Sequence, residues 1–165
     1  MKTLSTERIN QTSPYKVISA GEGVVRFITD KALVYEAGFI EDYSLVQENG
    51  YQFYLKEISG KSAAADAKIM QTIWAIFEEF FAQNESVVLY ICDISDGHQA
   101  ARARIFAKWF HTFEHEDRYT FIDGNITFEE ICYFAAAIIA KSNPHHDEYV
   151  EAFMLFKEGI EQKFR

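Results

Sequence analysis

The stretch 87–113, VVLYICDISDGHQAARARIFAKWFHTF, changes pattern twice. Val87 through Cys92 is an apolar run of strand length, with no polar alternation, as expected of a strand buried on both faces. Asp93-Ile94-Ser95-Asp96-Gly97 is an acidic turn. Ile105, Phe106, Trp109, Phe110 and Phe113 then recur at helical spacing. At roughly 100° per residue, Arg102 falls at the centre of that apolar stripe and His98 near its edge. Arg104, Lys108 and His111 fall on the opposite side.

The junction of strand and helix therefore gathers Asp93, Asp96, His98 and Arg102. An arginine in the middle of a buried face has to be paired, because an unpaired buried charge is costly. Asp93 and Asp96 are the nearest acids. Asp66 is a third, since it opens the preceding helix and projects onto its buried face. Breaking such a buried pair by Arg102→Ala is expected to cost about 3–5 kcal/mol. The free amides of the helix start, its dipole, His98 and Arg102 also make an arrangement suited to an anion. A purely structural assignment makes Asp96 and Asp66 helix caps and Arg102 one half of an ion pair.

Working outward, residues 1–13 are polar and aperiodic and read as a flexible tail, leaving 14–165 as a single α+β domain. Alternation over Tyr15–Ile18, Val25–Thr29, Leu33–Phe39 and Tyr51–Lys56 predicts an antiparallel meander with one wet face. Ile69, Ile73, Ile76, Phe77 and Phe80 predict a long helix after Asp66. Tyr119–Ile122 is another strand. Ile131–Lys141 is apolar all round; Thr127-x-x-Glu130 before it has the form of a capping box, but a strand is preferred because the closing sheet needs a partner. Asn143-Pro144 breaks the chain. Tyr149, Phe153, Phe156, Ile160 and Phe164 predict a final helix. The expected order is β-β-β-β-α-β-α-β-β-α in a twisted, mostly antiparallel sheet with packed helices.

Composition narrows the function. Fifteen Phe and nine Tyr in 165 residues argue for an ordinary core and against disorder. A net charge of −9 gives no support to nucleic acid or an anionic membrane as partner. Two cysteines supply no disulfide framework, and no signal peptide or membrane-length apolar run is evident, so a cytoplasmic setting is expected.

Several motifs fail on their own chemistry. Asp123 to Glu130 has the form of half a calcium loop, but Tyr119 and Phe121 then occupy ligand positions that need oxygen donors. Asp93 and Asp96 resemble the aspartate pair of haloacid-dehalogenase phosphatases, which are separated by one residue rather than two. Cys92 with His98 has the makings of a nucleophile and base, yet a cysteine ending a buried strand reads as inert core. His145 and His146 have no third ligand, and neither metal nor cofactor is expected.

From Tyr15 onward the chain resembles an uncharacterised family of small Bacteroidetes proteins. The residues that carry the resemblance are Asp66-x-x-Ile69-x-x-Thr72-Ile73, Cys92-Asp93-x-x-Asp96-Gly97, Arg102-x-x-x-Phe106-x-x-Trp109-Phe110 and Asn143-Pro144. It implies a bacterial protein and no mechanism. The order of elements also resembles the GNAT acyltransferase fold, in which a glycine-rich turn before the first of these helices holds the pyrophosphate of acyl-coenzyme A. Here the corresponding Glu57-Ile58-Ser59-Gly60-Lys61-Ser62 departs from that pattern at both ends, and Glu57 repels phosphate. No residue pattern identifies a reaction, so catalysis stays open. The expected function is a non-catalytic binding or regulatory domain, its partner an unknown protein or a small anionic ligand and its oligomeric state open. The alternatives are an acyl-coenzyme A-dependent N-acyltransferase and a toxin-type ribonuclease with His98 as acid or base and Arg102 on the developing charge.

Overall fold

The computed structural model describes residues 1–61, 66–92, 97–128 and 130–163, with 99, 125–128, 131–132 and 159–163 described as backbone only. The chain is α+β. Helix α1 spans Thr6–Thr12, and strands β1 (Val17–Gly21), β2 (Val24–Ile28), β3 (Val34–Glu41) and β4 (Gly50–Glu57) follow. Then come α2 (Ala67–Gln83), β5 (Val87–Ile91), α3 (Gln99–His111), β6 (Tyr119–Phe128), β7 (Ile131–Ala140) and α4 (His146–Lys163). The strand order is β1-β2-β3-β4-β5-β7-β6. Two compact units can be distinguished, one of Met1–Ile40 with Phe53–Asn84, the other of Glu41–Gln52 with Glu85–Arg165.

In the first unit, alternation decides which face of each strand is buried. Val17, Val25, Phe27, Tyr35, Ala37, Phe39 and Phe53 point inward. Phe27 stacks between Tyr15 and Tyr35 at 6.1 and 5.4 Å, and Phe39 stacks on Phe80 of α2 at 4.1 Å. The α2 stripe is the expected one, with Ile69, Ile73, Ile76, Phe77 and Phe80 all buried.

The stretch 1–13, expected as a loose tail, contains α1. Ser5 caps it, its hydroxyl accepting from the Arg8 amide at 3.2 Å. Leu4 and Ile9 are buried, and Glu79 of α2 binds Arg8. Asn10 gives β1 a surrogate strand neighbour: its amide donates to the Val17 carbonyl at 2.9 Å and its oxygen accepts from the Val17 N–H at 2.7 Å. Two apolar anchors and one ion pair hold a helix too short for a legible stripe.

In the second unit, β7 pairs antiparallel with both β5 and β6. A strand flanked on both sides and covered on both faces is apolar throughout, which is why 131–140 is strand rather than helix. Ala135, Ala137 and Ile139 face Tyr149 and Phe153 of α4, whereas Phe134 and Ala136 face Cys92 and Ala103 of α3. Strand β6 runs to Phe128, longer than the expected Tyr119–Ile122. Asp123 and Gly124 lie in it opposite Ala136 and Ala135, which places them in a ladder and not in an ion-binding loop.

Candidate functional site

The five sequence candidates divide. Asp93 and Asp96 lie outside the described residues. His98 and Arg102 stand at the start of α3 in the second unit, and Asp66 belongs to the first. His98 is the N-cap residue of α3, exposed, with no side-chain capping bond, just after Gly97 at φ +73°. That positive φ suits glycine and turns the chain into the helix.

Arg102 was expected at the centre of a buried stripe; it is half-buried. The helix is rotated from the expected phase: Ala103, Phe106 and Phe110 are the buried positions, and Ile105 is 50% exposed. Aromatic stacking accounts for the rotation. Tyr90 of β5 stacks on Phe106 at 3.9 Å, and Phe121 of β6 stacks on Phe110 at 4.8 Å. Ala103 brings the helix close to Ala136 and Phe134. The stripe thus centres one residue later, and Arg102 moves to its margin.

From there its positive charge acts on Tyr90 and Cys92. Burial pushes the Tyr90 phenol well up, and contact with Cys92 adds to it, while Arg102 opposes. Burial likewise raises the Cys92 thiol above its ordinary 9.0, with Tyr90 and Arg102 pulling the other way and losing. Cys92 is 2% exposed and its N–H donates to the Phe134 carbonyl at 3.1 Å. A buried thiol held protonated is a poor nucleophile.

Asp66 caps α2, accepting from the Lys68 N–H at 2.9 Å, and also accepts from the Tyr15 phenol. Burial raises the Tyr15 pKa, and the Asp66 bond adds to it. Lys68 pairs with Asp30 at 2.7 Å and lies over the Tyr15 ring. The sequence pattern suggested the cap, but the bond from Tyr15, 51 positions earlier in the chain, carried no local signal.

The turn after β4 carries the most informative chemistry. The Glu57 carboxylate accepts from the N–H groups of Ser59 at 2.8 Å and Gly60 at 3.1 Å, and from the Ser59 hydroxyl. The Ser59 hydroxyl bond leads in lowering the Glu57 pKa; burial opposes it, and the turn amides reinforce it. Successive amides aimed at one anion form a nest, and here the anion is the chain's own carboxylate. Among the described residues no group of three His, Cys, Asp or Glu is arranged to hold a metal ion.

A model described as a family of unknown function, DUF6169, matches residues 65–155, more than half of the chain. The chain belongs to this family. The matched region opens beside the Asp66 cap and ends within α4, so it includes Asp66, Cys92, His98, Arg102, Phe106 and Asn143. In this DUF6169 member β1 to β4 lie outside the match. No curated protein and no solved structure matches the chain. Among the described residues no helix is long and apolar enough to cross a membrane.

Proposed function

We propose that this DUF6169 protein is a non-catalytic binding domain. The observation that carries this reading is the open face of β1 to β3, where Ile18, Ile28 and Ile40 are 51%, 60% and 58% exposed. Isoleucines exposed on the solvent side of a sheet have an energetic reason to meet a partner. The chemistry near the sequence candidates supports it. Cys92 is buried and its thiol pKa is raised, and the carboxylates of Glu57 and Asp66 already take the N–H groups of Ser59, Gly60 and Lys68.

A second reading, an acyl-coenzyme A-dependent transferase, draws support from the order of elements after residue 17, which is the expected GNAT-like one. The Glu57 nest weighs against it, because a pyrophosphate needs those same amides and meets a like charge there. Calorimetric titration with acetyl-coenzyme A at moderate salt decides between them. The expected heat equals dilution. Saturable binding at micromolar affinity, weakened by Lys61→Ala, overturns the binding-domain reading.

A further inference from the structure

Strand β1 stands at one end of the strand order, with β2 as its ladder partner. Val17 lies opposite Phe27, Ile18 opposite Arg26 and Ser19 opposite Val25. Along an antiparallel pair, residues that bond across the ladder alternate with residues that turn their N–H and C=O away from it. Val17 is of the second kind. Its N–H donates to Asn10 Oδ1 at 2.7 Å, and its carbonyl accepts from Asn10 Nδ2 at 2.9 Å. Ser19, in phase with Val17, turns its backbone the same way and is exposed. Just beyond it the register shifts between Ser19 and Gly21, which breaks the regular edge.

A carboxamide carries one acceptor and one donor side by side, the same pair that a residue of an adjoining antiparallel strand presents. Asn10 therefore fills the place of a strand at Val17, and the Ser13 hydroxyl takes the Tyr15 carbonyl at 2.6 Å. Both side chains come from α1 and its C-cap. A seven-residue helix has little stability of its own, so it depends on its docking. Ile9 is buried, Ser5 and Arg8 bind Glu79 of α2, and the Lys2 N–H donates to Oδ1 of Asn84, the α2 C-cap, at 2.9 Å. Without such cover, outward N–H and C=O groups at a sheet edge are a template for another strand.

We propose that α1 is a strap on this edge: Asn10 keeps β1 closed to strand addition, and release of α1 lets β1 of one copy pair antiparallel with β1 of another. The strand is suited to itself. With a two-fold axis at Val17, the two Val17 residues exchange the N–H and C=O that Asn10 now holds. Tyr15 then faces Ser19, and Lys16 faces Ile18 rather than a second lysine. The contact runs through backbone bonds at the edge and not through the open sheet face, so it goes beyond the binding-domain reading and does not rest on it.

Amide hydrogen exchange and sedimentation velocity of the full chain test this. In the wild type the Val17 amide should exchange about tenfold or more slowly than that of Ser19, since Asn10 holds the first and the second faces outward. Asn10→Ala should bring the Val17 rate up to that of Ser19 at low concentration, and at micromolar concentration should give a larger sedimenting species than the wild type. Ser19→Pro, added to Asn10→Ala, removes an outward donor without touching the β1–β2 ladder and should restore the wild-type mass. Far-ultraviolet circular dichroism verifies that both variants fold, and the wild-type comparison of Val17 with Ser19 needs neither. Equal exchange of the two amides in the wild type overturns the proposal. So does an Asn10→Ala chain that sediments as the wild type, or an association that survives Ser19→Pro.

Discussion

The guanidinium of Arg8 clasps the carboxylate of Glu79 by two parallel bonds, Nε to Oε2 at 2.9 Å and Nη2 to Oε1 at 2.8 Å. The Ser5 N–H donates a third at 3.1 Å. Glu79 is nearly enclosed, whereas Arg8 is half open to water. Glu79→Ala therefore removes three bonds and leaves an arginine that water can solvate. The expected loss of stability is about 1–3 kcal/mol, from bonds to a charged group. Urea denaturation of the variant beside wild type measures it, and an unchanged midpoint means that α1 is not held through this pair.

The same carboxylate sets an acid dependence. Burial alone raises the Glu79 pKa, but the Arg8 and Ser5 bonds outweigh it and the net shift is downward. Between the lowered folded value and the ordinary glutamate value the unfolded chain binds more protons, so stability rises with pH there. The contribution is complete above the unfolded glutamate pKa and is lost as pH falls through the folded one. Wild type and Glu79→Gln, melted from pH 7 down to pH 3, should converge as the pH falls. A stability difference independent of pH counts against the charge on Glu79.

Tyr54 offers an alkaline counterpart. Its ring covers Gly38, where an added Cβ meets Cε1 at 2.7 Å. Burial, then the hydrogen bond to Glu36, push its phenol up to about 12. A raised pKa contributes stability that is whole below the unfolded tyrosine value and is lost as pH rises through about 12. Gly38→Ala displaces the ring and costs about 1–2 kcal/mol, the lower part of the range for overpacking. Ultraviolet titration should show the tyrosinate step near 12 shifting down in Gly38→Ala and vanishing in Tyr54→Phe. A step that stays in Tyr54→Phe assigns it to another tyrosine.

Long apolar patterns were legible and short or compound ones were not. The α2 stripe and the inward positions of β1 to β4 followed from periodicity, because each has enough apolar positions to fix a phase. Helix α1 has Ile9 as its buried residue, so nothing periodic marked it. In α3 the stripe admitted two phases one residue apart; Tyr90 and Phe121, remote in sequence, selected the one that turns Ile105 outward and moves Arg102 to the edge. The Glu57 nest was missed in part. Glu57 was read as repelling phosphate, but that its carboxylate folds back on the next turn depends on backbone geometry that residue types do not encode.

Arg102 and Cys92 allow a last test of the inert-thiol reading. Cys92 is 2% exposed, and burial raises its pKa above 9.0 although Arg102 pulls it down. Reaction with an alkylating reagent requires the thiolate and access to it. In a Cys132→Ser background at neutral pH, Cys92 should react about tenfold or more slower in the folded chain than in guanidinium, because reaction waits on local opening. Arg102→Met removes the charge that favours the thiolate, so the folded-state rate, corrected for the change in stability, should fall further in a variant whose fold is intact by circular dichroism. Since Arg102 is half-buried rather than enclosed, its substitution should cost about 1 kcal/mol and not the several expected of a buried pair. Two readouts thus separate its roles: the denaturation midpoint reports packing, and the alkylation rate reports charge. Modification of folded Cys92 at the denatured rate would overturn the assignment and make the end of β5 a reactive site.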